Sequence, residues 1–387
     1  MNTPSHSAPT ISLSLHDAVQ ADASKLYAKA WGLQWSRQTR TSIAPIPSNN
    51  GVTDAHAQLG QEGTQKQETC EYEYECLIDL INLPKTFRPT SGSDVLVVLH
   101  EYDLLLDFLS NGYLRDERAM AVTGQPGCGK STFLLYLLLH RLSLKRPTAL
   151  HLPSTPHHYI IFDALGATAY PLTSSPTQSP SRLHQCTALC DSDEIVKQPC
   201  DWFLLYAARV LQMARPGTDR WSGWLKQLMG NVVVLGGPSD REIGAIMKER
   251  GYDPLPSFAH IHKWGPSTRR ILDLVDVHPA RTVEDVERIL TRRAEHAAID
   301  ICATPVAHSA ILRGSTTTEI LDSLHFDLKE NVHYFDLVFM RPVREALSSG
   351  IVEWEQFELI IPTGYLRDVF ERERVRRVRE LVGGVEA

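Results

Sequence analysis

The most constraining feature of the sequence is a glycine-rich octapeptide at residues 124–131, which reads Gly-Gln-Pro-Gly-Cys-Gly-Lys-Ser. It matches the pattern G-x-x-x-x-G-K-[ST] at every fixed position. The apolar run Ala119–Thr123, a strand candidate, enters it, and an apolar helix candidate follows at 132–144. A turn of this kind points its backbone N–H groups inward at the positive end of the helix dipole. The octapeptide therefore predicts a phosphate-binding loop (P-loop).

Individual residues of this loop have distinct expected roles. Lys130 is expected to reach the β- and γ-phosphates of a nucleotide, and the Ser131 hydroxyl to coordinate Mg²⁺. The glycines allow the backbone to fold around the phosphates. The predicted nucleotide-binding residues are consecutive: Gly124, Gln125, Pro126, Gly127, Cys128, Gly129, Lys130, Ser131 and Thr132. ATP and Mg²⁺ are therefore the expected cofactors.

Strand and helix candidates alternate along the central part of the chain. Apolar runs typical of buried strands occur at 95–99, 119–123, 148–152, 159–162, 187–190 and 231–235. Residues 202–214 are largely apolar, and their periodicity does not distinguish a helix from a strand or from one after the other. Such alternation is typical of a mostly parallel sheet covered on both faces. We expect an α/β fold, specifically a P-loop NTPase three-layer sandwich.

The amino-terminal half is expected to contain one folded unit. Residues 1–69 are rich in Ser, Thr, Pro, Gln and Asn, and we expect them to be disordered. A rough apolar stripe leaves a short helix within 15–35 as an alternative for that part. Residues 70–237 form the predicted nucleotide-binding α/β domain.

The carboxyl-terminal half is expected to contain two smaller units. Residues 238–305 have helical patterns and begin with Ser239 and Glu242, the spacing of a capping box. This part is predicted to be a small helical, lid-like subdomain. Residues 306–387 are expected to form a mixed α+β region. Its predicted elements are strands at 334–340 and 357–361 and a charged terminal helix.

Nucleotide hydrolysis also needs an acidic residue at the end of a second strand. The run 187–191 is the best match, because it is apolar and ends in Asp191. We expect Asp191 to hold Mg²⁺ together with Ser131, and either Glu194 or Asp193 to polarise the attacking water. The alternative is that this acidic stretch is a loop that only caps a helix.

A second strand ends in an acidic residue and offers a rival reading. Residues 159–162 lead into Asp163, and Gly166 completes the D-x-x-G pattern of a GTPase switch. GTPases also carry an N-K-x-D motif that reads the base, and this motif is absent downstream. Guanine specificity is therefore not expected.

Composition bears on the compartment and the partners. The net charge of −7 gives no global reason to expect binding to nucleic acid or to a membrane surface. The amino terminus lacks the pattern of a signal peptide, and no apolar run approaches the roughly 18 residues that span a bilayer. Seven scattered cysteines without a CxxC pair fit a reducing compartment. We expect an intracellular protein, either cytoplasmic or nuclear.

The order of motifs resembles the P-loop ATPase module of the Crinkler and retrotransposon-hot-spot (RHS) family. The segments that carry the resemblance are 97–103, 122–138, 189–192, 214–216, 221–227 and 265–269. The resemblance implies an ATPase related to the AAA and STAND groups. It places Lys130, Ser131, Asp191 and Arg269 on motif positions of the family. In AAA-type ATPases, an arginine at the position of Arg269 folds back on the phosphates; a solvent-facing arginine is the alternative here.

The chain also departs from this family. Many relatives read Ser-Pro where this chain has Ala214-Arg215-Pro216. The Crinkler leader signature Leu-x-Leu-Phe-Leu-Ala-Lys is absent, so secretion as an effector is not expected. The region after the helical subdomain lacks a convincing Asp followed by Asp/Glu-x-Lys, so nuclease activity is not predicted.

Three functions are compatible with these motifs. The first is a Mg²⁺-dependent ATPase whose nucleotide state changes the packing of the helical subdomain against the sheet. The second is a STAND-like switch or interaction module that binds ATP with little turnover. The third, a small-molecule kinase, would need an acceptor pocket that the sequence does not identify. A protein partner or a homo-oligomer that supplies an arginine would fit either of the first two.

Overall fold

The computed structural model describes residues 13–46, 68–88, 93–112, 114–173, 179–216, 221–277, 279, 281–324, 332–344 and 353–383. The helices are α1 Leu13–Ala30, α2 His100–Asn111, α3 Lys130–Ser143, α4 Ser179–Leu183, α5 Asp201–Tyr206, α6 Ser222–Leu228, α7 Asp240–Glu249, α8 Pro254–Trp264, α9 Thr268–Val275, α10 Val283–Ala303, α11 Pro305–Leu312, α12 Thr317–Ser323 and α13 Gly364–Gly383. The strands are β1 Arg37–Pro45, β2 Thr69–Leu77, β3 Leu96–Val97, β4 Ala119–Thr123, β5 Thr148–His151, β6 His158–Asp163, β7 Gly166–Pro171, β8 Thr187–Asp191, β9 Arg209–Met213, β10 Asn231–Val234, β11 Phe339–Pro342 and β12 Phe357–Ile360.

A seven-stranded sheet forms the centre of the fold, in the order β10-β4-β9-β8-β5-β6-β7. The first five strands in this order are parallel, and the β6–β7 hairpin is antiparallel at one edge. The expected α/β class with a mostly parallel sheet is confirmed. Strand β9 separates β4 from β8, so the ends of these three strands lie side by side.

Helices cover both faces of this sheet because the strands are apolar on both sides. Met120 and Val122 of β4 belong to a core that also contains residues of α1, α2 and α3. Ala119 and Ala121 of the same strand belong to a second core with residues of α4, α5 and α6. Alternate residues of a strand face opposite sides, so the two cores lie on the two faces.

The amino-terminal segment corrects the expectation of disorder over residues 1–69, and the alternative of a helix within 15–35 is confirmed by α1, which spans Leu13–Ala30. Helix α1 packs against β7 and α3, and its Leu26 is fully buried. Strand β1 pairs along its whole length with β2 in a separate three-stranded sheet, and it contacts α7 and α8. The polar composition of this segment favoured disorder. Strand β1 is nevertheless ordered, because its backbone pairs with β2. Residues 1–12 and 47–67 lie outside the described part of the chain.

Two other expected elements differ from the structure. The strand expected at 95–99 is reduced to the two residues of β3, which pair with β2 and not with the main sheet. The ambiguous segment 202–214 contains α5 followed by β9. An apolar run is compatible with either state, and here the break occurs at Ala207, whose extended backbone ends the helix.

The carboxyl-terminal half has its own core. The predicted capping box of Ser239 and Glu242 is confirmed at the start of α7. A third core combines residues of α10, α11, α12 and α13 with the small β11–β12 sheet. The strand expected at 334–340 is partly wrong, because residues 332–336 form a 3₁₀ helix and β11 begins only at Phe339.

Candidate functional site

The glycine-rich loop lies between β4 and α3, at the carboxyl end of the parallel strands. Gly124, Gly127 and Gly129 have φ angles of 148°, 86° and 95°, a region that disfavours side chains. A Cβ at Gly129 would come within 2.2 Å of the Tyr102 hydroxyl oxygen, and one at Gly124 within 2.4 Å of the Leu235 carbonyl oxygen. The motif glycines are therefore required both by backbone conformation and by close packing.

The loop leaves several backbone amides free for a ligand. Within the described residues, the amides of Lys130, Ser131 and Thr132 donate no hydrogen bond, as expected for the first turn of a helix. Gly129, the N-cap residue of α3, offers no side chain to satisfy them. Three N–H donors at the positive end of a 14-residue helix constitute an anion-binding arrangement.

The Lys130 ammonium is held by the loop itself. Its Nζ donates to the carbonyl oxygens of Gly124, at 2.8 Å, and Gln125, at 3.0 Å. Lysine has three N–H donors, and these carbonyls occupy two of them. The side chain is thus positioned above the loop, where a phosphate would compete with the two carbonyls for it.

Asp191 ends β8 and lies beside the loop. Burial raises the pKa of its carboxyl to about 6, although a hydrogen bond with Ser131 and the charge of Lys130 act in the opposite direction. The structure thus brings together Asp191, Ser131 and Lys130, which the sequence analysis had placed in one site. A carboxylate and a hydroxyl are oxygen ligands of the type that Mg²⁺ takes, and they fit that ion.

The acidic residues after Asp191 occupy different positions. Asp193 lines the cavity described below, and its Oδ1 accepts hydrogen bonds from the amides of Ile195 and Val196. Glu194 is exposed, is not among the residues that line the cavity, and pairs with Arg215 at 3.1 Å. Geometry thus favours Asp193 over Glu194 as the group that lies nearer the loop.

A cavity of about 610 Å³ lies above the loop. Its walls come from the loop, from the ends of β8 and β9, from β3, and from α7 and α9 of the helical part. Arg269 lines it from the first turn of α9, and the Arg269 Cβ would lie 3.1 Å from a Cβ built on Gly127. Within the described residues, the exposed Arg269 side chain has neither a hydrogen bond nor an ion pair.

The neighbouring Arg270 has a structural position instead. Its side chain is buried, donates to the carbonyl oxygens of Trp264 and Phe335, and lies 3.7 Å from Asp336. Burial lowers its pKa to about 10. The two adjacent arginines are therefore separated in role, with Arg269 facing the cavity and Arg270 inside the core.

Gln125 was expected only to help bind the nucleotide, and its side chain has another contact. It is 4% exposed and faces the carboxyl-terminal region. Its Oε1 accepts from the Met340 amide at 2.9 Å, and its Nε2 donates to the Phe335 carbonyl at 3.3 Å. The loop is thus fixed to the segment that leads into β11, which no local pattern could have indicated.

Tyr102 is a residue of the site that the sequence analysis did not single out. It is fully buried in α2, and its hydroxyl donates to the Gly129 carbonyl at 2.9 Å. The signal available in the sequence was only that it belongs to the apolar face of a helix. Its contact with the loop depends on the packing of α2 against α3.

The rival D-x-x-G motif lies elsewhere. Asp163 and Gly166 flank the turn of the β6–β7 hairpin at the edge of the sheet. The Asp163 carboxylate is bound by Arg182 through two hydrogen bonds of 2.7 Å. Neither residue lines the cavity above the loop. Asp163 and Arg182 thus form a structural ion pair, and the D-x-x-G motif lies away from the glycine-rich loop.

The described residues also bear on metal binding and on membrane insertion. No group of three or more His, Cys, Asp or Glu side chains is placed to hold a metal ion by itself. A Mg²⁺ bound here would therefore take further ligands from the nucleotide and water, as this ion usually does. In the same part of the chain, no helix has the length and apolar character needed to cross a bilayer.

Comparison with protein-family models finds no matching family, and comparison with curated proteins finds no significant match. The functional assignment therefore rests on the fold and on the geometry of the site.

Proposed function

We propose that this protein binds ATP with Mg²⁺ at residues 124–132 and hydrolyses it, as a P-loop ATPase of the Crinkler/RHS type. The observation that carries the proposal is the convergence of three unpaired amides, Lys130 and the Ser131–Asp191 pair on one cavity. Each group has a partner in a Mg²⁺-nucleotide: the amides and lysine for phosphates, and the oxygen pair for the cation.

The remaining walls suit the rest of a nucleotide. Val97 of β3, Ile246 of α7 and Leu272 of α9 give the cavity an apolar wall on elements that contact one another. A purine base would bury its faces there. Arg269 would add a positive charge near the phosphates from the helical part, which is the role that the family resemblance implies.

The residues of this chain have separate roles in hydrolysis. Lys130 and the amides would stabilise negative charge on the phosphate oxygens as the bond to the leaving ADP breaks. Asp193 would orient water, whose oxygen bonds to the γ-phosphorus as the bond to ADP breaks, and the water's proton passes to the inorganic phosphate that forms. Ser131 and Asp191 would hold Mg²⁺, which supplies charge neutralisation when bound.

The second candidate, a nucleotide-dependent switch with little turnover, is favoured by one observation. Glu194, the other candidate for activating water, is bound by Arg215 and lies outside the cavity lining. A bound nucleotide would contact the glycine-rich loop, which Gln125 joins to the carboxyl-terminal region, and Arg269 of the helical part. It would therefore affect how the sheet, the helical part and the carboxyl-terminal region pack together. The rate of turnover separates the two candidates.

The test measures ATP binding and Mg²⁺-dependent phosphate release by the full chain. Lys130→Ala should weaken ATP binding by about a hundredfold, because charge-assisted hydrogen bonds are lost. Asp191→Asn should keep metal-free ATP binding and lose about a hundredfold in turnover. Lys226→Ala, on the exposed face of α6, is the matched control and should change neither. Tight binding without turnover would select the switch, and no binding by the wild-type chain would end both proposals.

A further inference from the structure

A second cavity, of about 340 Å³, lies at the opposite end of the seven-stranded sheet. Thr187 and Arg209, the first residues of β8 and β9, contribute to its wall, as do His140 and Arg141 near the end of α3. The glycine-rich loop and Asp191 adjoin the other ends of these same elements. A five-residue strand spans about 13 Å, so the two cavities are separate sites.

The lining of this cavity is rich in arginine. Arg141 and Arg146, from the carboxyl end of α3 and the turn after it, and Arg209, from the start of β9, contribute to one wall, and Arg115 adds a fourth guanidinium at the rim. Two acidic residues also line the cavity, Asp116 and Glu117. Asp116 pairs with Arg115 at 3.1 Å. The four guanidinium groups therefore outnumber the two carboxylates in the lining of this cavity.

Arg141 and Arg209, the two less exposed arginines of the cavity, have no carboxylate partner among the described residues. Arg209 donates to the carbonyl oxygens of Leu109 and Leu114, and its Nε is buried without a partner. Arg141 donates to Thr148 Oγ1 and to the Pro147 carbonyl. A guanidinium has five N–H donors, so each of these arginines has donors to spare.

These charges are close enough to affect one another. Burial first, and then the charges of Arg146 and Arg209, lower the pKa of Arg141 to about 10. Burial also lowers the pKa of Arg209, although Asp116 and Glu117 oppose this. These partly desolvated guanidinium groups repel one another, which destabilises the fold. An anion bound in the cavity would offset that repulsion.

We propose that this cavity is a second binding site, which takes a small molecule through an oxyanion, either a phosphate or a carboxylate group. Arg141, Arg146 and Arg209 would donate to the oxyanion, since arginine matches the geometry of both groups. The volume is near the lower limit of small-molecule sites, at roughly 300 Å³. Buried leucines of α2 and α3 complete the wall and would contact a short apolar part of the ligand.

The experiment uses the full chain with Lys130→Ala, which weakens phosphate binding at the glycine-rich loop, and the cavity variants below assign any remaining binding to one site or the other. Inorganic phosphate, pyrophosphate and citrate are titrated in separate calorimetric runs. We expect saturable 1:1 binding of at least one probe, with a Kd of about 1 mM or tighter. Preference for the first two probes identifies a phosphate ligand, and preference for citrate identifies a carboxylate ligand.

Arg146→Gln is the decisive variant, because Arg146 is exposed and its side chain has no hydrogen bond to a described residue. It should fold normally and bind the probe about tenfold more weakly. Arg141→Gln should weaken binding at least as much, with some loss of stability. Arg288→Gln, which removes an exposed arginine of α10, is the control and should have no effect. Absence of saturable binding by all three probes, or unchanged binding in both cavity variants, would overturn the proposal.

This outcome does not depend on the proposed ATPase. The two sites share elements but no residue, and the titration is done after the loop lysine has been removed. If the wild-type chain does not bind ATP, the proposal for the arginine-lined cavity still stands. If the cavity binds no anion, the proposal for the glycine-rich loop still stands.

Discussion

The two ends of the seven-stranded sheet both concentrate positive charge, but they do so in different ways. At the carboxyl end, consecutive residues supply free amides and Lys130, whose ammonium donates to two carbonyl oxygens of the loop. At the amino end, Arg209 of β9 meets Arg141 and Arg146 from the end of α3 at a cavity, and the buried Arg209 Nε has no partner among the described residues. The lysine at the carboxyl end is thus held by its own loop, whereas the guanidinium groups at the amino end keep N–H donors without a partner among the described residues.

The difference also concerns rigidity. The loop is fixed on one side by Tyr102 and on the other by the contacts of Gln125 with the carboxyl-terminal region. The arginine cavity has an exposed rim formed by Arg115 and Arg146. We therefore expect substitutions at the carboxyl end to change stability strongly and those at the rim of the amino end to change it little.

The largest effect is expected for Gly129→Ala. The new Cβ would meet the Tyr102 hydroxyl at 2.2 Å, and the residue has a φ of 95°. Strain and overpacking together should cost about 4 kcal/mol of unfolding free energy, measured by urea denaturation. Gly251→Ala is the matched control, since Gly251 has a φ of 83° with open space around it. Equal losses at the two positions would show that the Tyr102 contact contributes nothing.

The next effect is expected for Gln125→Leu. The substitution removes the partners of the Met340 amide and the Phe335 carbonyl inside the core. Leaving buried polar groups unpaired should cost about 3 kcal/mol in the same denaturation experiment. Gln227→Leu, at an exposed position of α6, should cost much less. A small loss at Gln125 would mean that the loop does not depend on the carboxyl-terminal region.

Asp191→Asn should increase the unfolding free energy at neutral pH, whereas the two preceding substitutions decrease it. Burial raises the pKa of the folded carboxyl from 3.8 to about 6, so the folded protein binds a proton more tightly than the unfolded chain between these values. Wild-type stability should therefore fall as pH rises from about 4 to 6 and stay lower above that. Without Mg²⁺, the variant should be about 2 kcal/mol more stable than wild type at pH 7.5. The difference should vanish near pH 4; a variant less stable than wild type at pH 7.5 would contradict this account.

The smallest effect is expected for Arg146→Gln, at the rim of the arginine cavity. The side chain is exposed, so its removal should change the unfolding free energy by less than about 0.5 kcal/mol. Thermal unfolding without added anions measures this value directly. A loss above about 1 kcal/mol would mean that Arg146 supports the fold, and the contrast between the two ends would fail.

Sequence patterns placed the loop residues together because they follow one another along the chain. The glycines, Lys130 and Ser131 are adjacent, and Asp191 was found because an apolar run ends in it. The choice between Glu194 and Asp193 could not be made, since it depends on the ion pair with Arg215, 21 residues further along. The disorder expected over residues 1–69 was wrong where β1 gains its hydrogen bonds from β2.

The sequence alone determined the α/β class, the position of the glycine-rich loop between a strand and a helix, and the capping box of α7. These features depend on periodicity and on neighbours a few residues apart. Only the tertiary structure decided the strand order, the attachment of Gln125 to the carboxyl-terminal region, and the meeting of Arg209 with Arg141 and Arg146. Such contacts join residues that are distant along the chain, and they form because burying apolar faces of helices and sheets brings those residues together.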